Sequence, residues 1–99
     1  FRKAGTDNGA IVWQSIPRSI YIDAAKRFDY DYDFSKNDIK IYAAGNYDIS
    51  TNPEYLNNQT FRVVLVPAGK GNKNANVDYT DYNRVIKYFK IDDSKVKNL

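Results

Sequence analysis

The sequence predicts a single, mainly β domain that ends in one α-helix. Its composition favours strands and turns, since the 99 residues include 11 Asp, 11 Asn and nine Tyr but only one Glu. Asp and Asn side chains compete with the helix backbone and favour caps and turns, whereas Tyr is a strand former. A second observation is the strict alternation of aromatic and acidic residues between positions 28 and 34. A helical bundle of this length would depend on Glu, Leu and Ala, so that class is disfavoured.

Two strands are predicted in the first quarter of the chain. Residues 1–9 are polar and turn-like, and we expect a flexible end that closes with the Asn-Gly turn pair at 8–9. A strand is predicted over 10–16, and Pro17 ends that strand or places it at a sheet edge. The next strand is predicted over 19–25, where apolar and polar residues alternate.

The clearest strand signal is the segment 28–34 (FDYDYDF). Its aromatic side chains share one face and its three Asp share the other, so we expect a buried aromatic face and a solvated acidic one. Residues 35–38 (SKND) are predicted as a hairpin turn, and 39–43 as the returning strand. Lys40 then lies across from one of the three Asp and offsets their mutual repulsion.

The second half of the chain combines long loops with one strand and one helix. A loop rich in Asn, Pro and Ser is predicted over 45–59, and loops of this length in compact domains are often functional. Because the apolar run in 61–67 (FRVVLVP) lacks alternation, we expect a central strand covered on both faces. A connector follows over 68–76, and the helix is predicted over 79–89 with Asp78 as its N-cap.

The predicted helix has one apolar stripe, which should pack on the sheet. The stripe consists of Tyr82, Val85, Ile86 and Phe89. Residues 92–99 are predicted as a flexible tail. The length fits one domain spanning 1–99. Because no apolar run approaches the ~20 residues that span a bilayer, we predict no transmembrane segment in these residues.

The charge pattern of the strands argues against nucleic acid as a partner, although the basic C-terminal third could meet phosphate or an acidic surface. The net charge is +3, and the surplus is confined to residues 60–99, with eight Lys/Arg against four Asp/Glu. A single-strand-binding sheet face interleaves aromatic residues with Lys or Arg. The 28–34 strand interleaves them with Asp, which repels phosphate.

Several classes of site are excluded by missing residue types. The chain has no Cys, Met or His. Zinc fingers, haem sites, disulfide scaffolds, thiol enzymes and catalysis with a His base are therefore excluded, and we expect no cofactor. The sequence begins with Phe1 and has no Met, so we expect that a leader was removed or that the chain was cut from a longer one.

The acidic strand resembles a calcium loop in composition only. The EF-hand pattern needs Gly at the sixth position and Glu at the twelfth, where this chain has Phe34 and Lys40. Carboxylates on one strand face are also about 6–7 Å apart per step, which is wide for one ion. We expect no metal site, and a weak calcium option remains at Asp33, Asn37 and Asp38.

Catalytic patterns are weak. The Gly69-Lys70-Gly71 segment lacks the earlier Gly and the following Ser or Thr of a phosphate-binding loop, so we expect a surface connector. No Ser lies in a G-x-S-x-G turn. A hydrolase would have to rely on Asp and Glu alone, and nothing in the sequence singles out a pair held across a cleft.

The 45–59 loop carries the chemistry of a recognition surface. Tyr provides large, rigid contact area with a polar end, and Asn provides adaptable hydrogen bonds. The alternative interpretation is that Tyr fills strands and Asn fills turns, as in many β proteins. The candidate binding residues are Asn46, Tyr47, Asn52, Tyr55, Asn57 and Asn58.

Two segments together resemble a known group of proteins. They are Thr60 to Gly69 (TFRVVLVPAG) and Asp78 to Ile91 (DYTDYNRVIKYFKI). In this order they resemble the C-terminal part of small exported or lipid-anchored β-rich proteins of Bacteroidetes, mostly of unknown function. The chain departs from that group between Trp13 and Ile20, where a longer insertion would be expected. The resemblance implies an exported β-sandwich-like domain and carries no activity or functional residue across.

These observations lead to one expected architecture and three functional hypotheses. We expect an immunoglobulin-like or similar β-sandwich of about five to seven strands with one C-terminal helix, located outside the cytoplasm as a periplasmic, cell-surface or secreted module. The leading hypothesis is a non-catalytic binding or structural role. The alternative is recognition of a surface glycan or another protein through the 45–59 loop, and the weaker alternative is a carboxylate-only hydrolase.

Overall fold

The computed structural model describes residues 1–66 and 77–98, which form two antiparallel sheets and one short helix. One sheet has the order β1-β2 and the other has the order β3-β4-β5. The strands are β1 (Arg2–Asp7), β2 (Ala10–Gln14), β3 (Arg18–Tyr21), β4 (Arg27–Phe34) and β5 (Ile39–Gly45), and the helix is α1 (Tyr82–Tyr88). Two 3₁₀ turns, Ile49–Thr51 and Pro53–Tyr55, follow β5. The mainly β class with one C-terminal helix is confirmed.

The first hairpin turns at the predicted Asn-Gly pair. Asn8 and Gly9 have φ angles of 50° and 82°. Positive φ at both central residues is what a type I′ turn requires, and Asn-Gly is the pair that tolerates it best. The turn prediction is therefore confirmed.

The expectation of a flexible end over residues 1–9 is wrong for the stretch that forms β1. This strand pairs with β2 on one side and with residues 60–62 on the other. The Lys3 N–H donates to the Thr60 carbonyl over 2.8 Å, and the Arg62 N–H donates to the Phe1 carbonyl over 2.7 Å. The partners lie about 60 positions away in the sequence, so no local pattern reveals the pairing.

The three-stranded sheet follows the predicted alternation, with β4 in its centre. The turn at 35–38 and the returning strand β5 are confirmed, and Lys40 lies opposite Asp33 in the register. The aromatic face of β4 is buried only in its first half. Phe28 is 0% exposed and Tyr30 is 2% exposed, whereas Phe34 is 75% exposed.

Two predicted strands end earlier in the structure than in the sequence pattern. β2 ends at Gln14, before Pro17. β3 ends at Tyr21 because Asp23 forms a turn, in which its carboxylate accepts hydrogen bonds from the Ala25 and Lys26 N–H groups over 2.8 and 3.0 Å. Asp is a frequent turn former for this reason.

The central strand predicted over 61–67 is wrong for residues 61–66, the part of it that the structure describes. Only Phe61 forms a β-bridge, to Arg2, and no backbone hydrogen bond joins residues 63–66 to another described residue. Val63 is 40% exposed and Leu65 is 86% exposed, so one face of the segment is uncovered. The connector predicted over 68–76 and the Gly69-Lys70-Gly71 segment lie outside the described residues.

The helix α1 is shorter than predicted but uses the predicted stripe. Its N-cap is Asp81, whose carboxylate accepts a hydrogen bond from the Arg84 N–H over 3.2 Å, rather than Asp78. Tyr82 and Val85 are buried. The Tyr82 ring lies 5.3 Å from the Trp13 ring, which attaches the helix to the β1-β2 sheet.

The remaining described residues add no further regular element. Residues 92–98 contain neither helix nor strand, although Asp93 accepts a hydrogen bond from the Tyr82 hydroxyl over 3.1 Å. Within residues 1–66 and 77–98, no helix is long and apolar enough to span a membrane.

Candidate functional site

The 45–59 loop is fixed at its start to the beginning of β4. The side-chain oxygen of Asn46 accepts a hydrogen bond from the Arg27 N–H over 2.7 Å, and its amide donates to the Ala25 carbonyl over 3.2 Å. Gly45 permits this close approach, because a Cβ atom there would lie 2.8 Å from the Arg27 carbonyl oxygen and 2.6 Å from Ile49. The first candidate binding residue, Asn46, therefore anchors the loop.

A row of polar groups connects the middle of the loop. The Tyr47 hydroxyl donates to the Asn52 side-chain oxygen over 2.9 Å, and the Asn52 amide donates to the Glu54 carboxylate over 2.8 Å. That hydrogen bond lowers the pKa of Glu54, while desolvation, followed by the nearby Glu54 charge, raises the pKa of Tyr47. The Lys26 ammonium lies 5.7 Å from the centre of the Tyr47 ring. The structure thus brings Tyr47 and Asn52 together in a pre-arranged row.

The other candidate residues are divided between the core and the far end of the loop. The Tyr55 ring packs on Phe28 with centroids 5.7 Å apart, and its carbonyl accepts a hydrogen bond from the Tyr30 hydroxyl over 2.8 Å. Asn57 and Asn58 are exposed, and Asn58 has a φ of 56°. Tyr55 therefore contributes to the fold, and the exposed pair is available for contact.

The polar face of the three-stranded sheet carries the three Asp of β4. Asp29 accepts a hydrogen bond from the Ser19 hydroxyl over 2.6 Å and forms an ion pair with Arg27 at 3.0 Å. The Ser19 hydrogen bond is the main reason that the pKa of Asp29 is lowered. Desolvation, followed by the charges of Asp31 and Asp33, raises the pKa of Tyr42, which lies opposite Asp31 in the register.

The residues of the calcium option are used in the hairpin. Asp33 lies across from Lys40, and Asp38 accepts a hydrogen bond from the Ser35 hydroxyl over 2.5 Å. The Asn37 N–H donates to the same hydroxyl over 3.3 Å. In the described part of the chain, no group of three or more His, Cys, Asp or Glu residues could hold a metal ion.

A repeated turn motif, absent from the sequence-based expectations, accounts for three of the 11 Asp residues. In three Asp-x-Ser/Thr segments, one carboxylate oxygen accepts hydrogen bonds from both the N–H and the hydroxyl of the residue two positions later. The hydroxyl contacts are 2.6, 2.6 and 2.5 Å long for Asp48, Asp78 and Asp92. The spacing is visible in the sequence and is typical of turns in which Asp bonds its own backbone.

These turns predict an acid-dependent loss of stability. Hydrogen bonds from Ser or Thr lower the pKa of Asp48, Asp78 and Asp92 in the folded chain. Their contribution is therefore complete above the unfolded pKa of about 4 and is lost as the pH falls below it, through the lower folded pKa. We expect the triple variant D48N/D78N/D92N to lose stability less steeply than the wild type in this range, measured by urea unfolding at each pH. The control is Asp7→Asn, at the exposed end of β1, whose free energy of unfolding should fall with pH as steeply as that of the wild type. Equal slopes of the free energy of unfolding against pH for the wild type and the triple variant would contradict the prediction.

An exposed apolar groove lies between the end of the β4-β5 hairpin and residues 63–66. Its volume is about 710 Å³, and Tyr32, Phe34 and Ile39 form the wall on the hairpin side. The groove was not foreseen, because the sequence pattern predicts that residues 61–67 are covered on both faces. Sequence periodicity cannot show which of two apolar faces finds a partner.

Comparisons with protein-family models, with curated proteins and with solved structures find no match for this chain. The candidate sites are therefore defined by their geometry and chemistry alone.

Proposed function

We propose that this chain is a non-catalytic exported or cell-surface domain with a binding or structural role. The observation that carries the non-catalytic part of the proposal is the hydrogen bonding of the carboxyl groups. Each described Asp or Glu side chain with a shifted pKa is shifted downward, by hydrogen bonds from hydroxyl, amide or guanidinium groups. A general acid for hydrolysis needs a raised pKa, so these groups are suited to holding turns rather than to proton transfer. This weighs against the carboxylate-only hydrolase.

The sandwich architecture is part of the same proposal. Support comes from contacts between the two sheets, in which the Arg2 guanidinium of β1 lies 4.7 Å from the centre of the Tyr30 ring of β4. The Tyr30 ring in turn lies 5.9 Å from the Phe61 ring, beside the bridge to β1. Two sheets with aromatic side chains between them are consistent with an immunoglobulin-like or similar sandwich.

For the binding role, the 45–59 loop is the preferred surface for a glycan or a protein. The row from Tyr47 through Asn52 to Glu54 is held by hydrogen bonds within the loop, so less conformational entropy is lost when a ligand binds. Tyr rings with polar neighbours suit the alternating apolar and hydroxyl surface of a sugar. The exposed Asn57 and Asn58 extend the polar surface.

A printed array of microbial and mammalian glycans tests the loop. We expect at least one glycan to bind, and Tyr47→Ala to weaken that binding at least about tenfold, as truncation of an aromatic contact does. Tyr21→Ala, at an exposed tyrosine on β3, is the matched control and should leave the affinity unchanged. An array without signal would reject glycan recognition, and unchanged affinity of Tyr47→Ala would reject the loop as its site.

The exported location is supported by the resemblance of the two C-terminal segments and is tested separately. We expect the complete gene product, carrying a C-terminal epitope, to fractionate outside the cytoplasm. Recovery in the cytoplasm alone would contradict this part of the proposal.

A further inference from the structure

The tip of the β1-β2 hairpin exposes an Asn-Gly pair whose polar groups are not engaged. Asn8 and Gly9 are both exposed, and they lie between Asp7 and Ala10, the last paired positions of the two strands. Neither the Asn8 side-chain amide nor the Gly9 N–H is hydrogen-bonded to another described residue. A Cβ atom at Gly9 would meet nothing within 4 Å beyond its chain neighbours, so the space around the turn is open.

We propose that Asn8 is a site of spontaneous deamidation. The Gly9 backbone nitrogen attacks Cγ of Asn8, and the new C–N bond closes a five-membered succinimide ring. The Cγ–Nδ2 bond breaks, and the leaving group departs as ammonia with the proton of the Gly9 N–H. Water then adds to one of the two ring carbonyl carbons and opens the ring, which gives aspartate or isoaspartate. Water is the only co-reactant.

Glycine is what makes this position reactive. The attacking nitrogen must approach the side chain of the preceding residue, and a following residue without a Cβ atom leaves that approach unobstructed and the backbone free to rotate. Asn8 is the one Asn in the sequence that is followed by Gly.

Asn58 provides a comparison within the same molecule. It is exposed like Asn8, and the φ angles of the two residues are 56° and 50°. Asn58 is followed by the half-buried Gln59, whose side-chain oxygen accepts a hydrogen bond from Arg2 Nε over 2.8 Å. The two sites therefore share exposure and backbone conformation at Asn, and they differ in the residue that supplies the attacking nitrogen.

Deamidation at this turn weakens the attachment of β1. Isoaspartate adds one carbon atom to the main chain at the point that sets the register of the two strands, and either product adds a carboxylate beside that of Asp7. β1 carries Arg2, whose guanidinium lies 4.7 Å from the centre of the Tyr30 ring. A loosened hairpin therefore also weakens a contact between the two sheets.

Incubation of the folded protein at mildly alkaline pH and body temperature, followed by peptide mapping with mass spectrometry, tests the proposal. We expect the peptide that contains residue 8 to become about 1 Da heavier and to separate into aspartate and isoaspartate forms. Its rate should exceed that at Asn58 at least about tenfold, because the glycine nitrogen is unobstructed. An unmodified Asn8 in the folded chain, or equal rates at Asn8 and Asn58, would overturn the proposal.

Asn8→Gly is the matched control variant. Gly-Gly is also a favoured pair for this turn, so the hairpin is retained while the reactive amide is removed. After the same incubation, the urea midpoint of the wild type should fall, and that of Asn8→Gly should not change. Equal falls for the two proteins would show that other damage is responsible and would overturn the link to β1. The 45–59 loop is unchanged in Asn8→Gly, so failure here leaves the glycan experiment independent.

Discussion

Replacing Phe28 with alanine is expected to lower the free energy of unfolding by about 3–5 kcal/mol. Phe28 is fully buried at the start of β4, and its ring lies 4.9 Å from the Tyr30 ring and 5.7 Å from the Tyr55 ring. Removal of the ring leaves a cavity between the central strand and the 45–59 loop, and the surrounding rings cannot collapse into it without breaking their own contacts. Since a domain of this size has only about 5–15 kcal/mol of stability, the loss is severe.

Phe34→Ala provides the matched comparison, because it removes the same side chain from the same strand. Phe34 is 75% exposed, so its truncation should change the free energy of unfolding by less than about 0.5 kcal/mol. Both variants are measured by urea unfolding at the same protein concentration as the wild type. Equal losses for the two variants would contradict the burial of Phe28.

The contrast between these two residues shows how far the sequence pattern predicts the fold. The FDYDYDF alternation predicts a strand with an aromatic face, and the structure confirms both the strand and its register with β5. The pattern does not predict where along the strand the cover ends. The burial of each side chain depends on which distant segments pack on the sheet. Such segments cover Phe28 and Tyr30 but leave Phe34 exposed.

Elements that depend on distant partners were the ones that sequence reasoning missed. β1 is polar and contains Gly5, so its local sequence indicates a turn rather than a strand. It is a strand because residues 10–14 and 60–62 offer hydrogen-bonding edges on its two sides. Conversely, residues 63–66 have the strongest strand composition in the chain, but no described segment pairs with them. Propensity describes what a segment can form, and the available edges determine what it does form.

The candidate loop was predictable in position but not in the use of its residues. Asn-rich composition located the segment 45–59, and local spacing such as Asp48 to Ser50 could have identified its turns. The opposite roles of Tyr47 and Tyr55 follow from three-dimensional packing. Tyr55 faces the buried Phe28, whereas Tyr47 joins a polar row. A count of Tyr and Asn cannot separate these two uses.

Arg2→Ala is expected to lower the free energy of unfolding by about 2–4 kcal/mol, although the sequence places this residue in a polar end segment. Arg2 is only 9% exposed, and its guanidinium lies 4.7 Å from the centre of the Tyr30 ring. Its Nε atom donates a hydrogen bond to the Gln59 side-chain oxygen over 2.8 Å. Alanine removes the cation–π contact and leaves the Gln59 oxygen without its donor, so the contact between the two sheets is weakened.

The chemistry of the guanidinium makes this prediction separable from simple loss of charge. Arg2→Lys keeps the positive charge, but the lysine ammonium cannot stack flat on the Tyr30 ring while it donates a hydrogen bond to Gln59. The free energy of unfolding of this variant should therefore lie between those of the wild type and Arg2→Ala. Lys3→Ala, at the exposed neighbour in β1, should change stability by less than about 0.5 kcal/mol.

The positive charge of Arg2 also opposes the rise in the pKa of Tyr30 that desolvation causes. Arg2→Ala should therefore raise the pKa of Tyr30 further, as measured by NMR titration of the ring. If Arg2→Ala is as stable as Lys3→Ala and the Tyr30 titration does not move, β1 is not held against the three-stranded sheet by this residue, and the proposed sandwich loses its main contact.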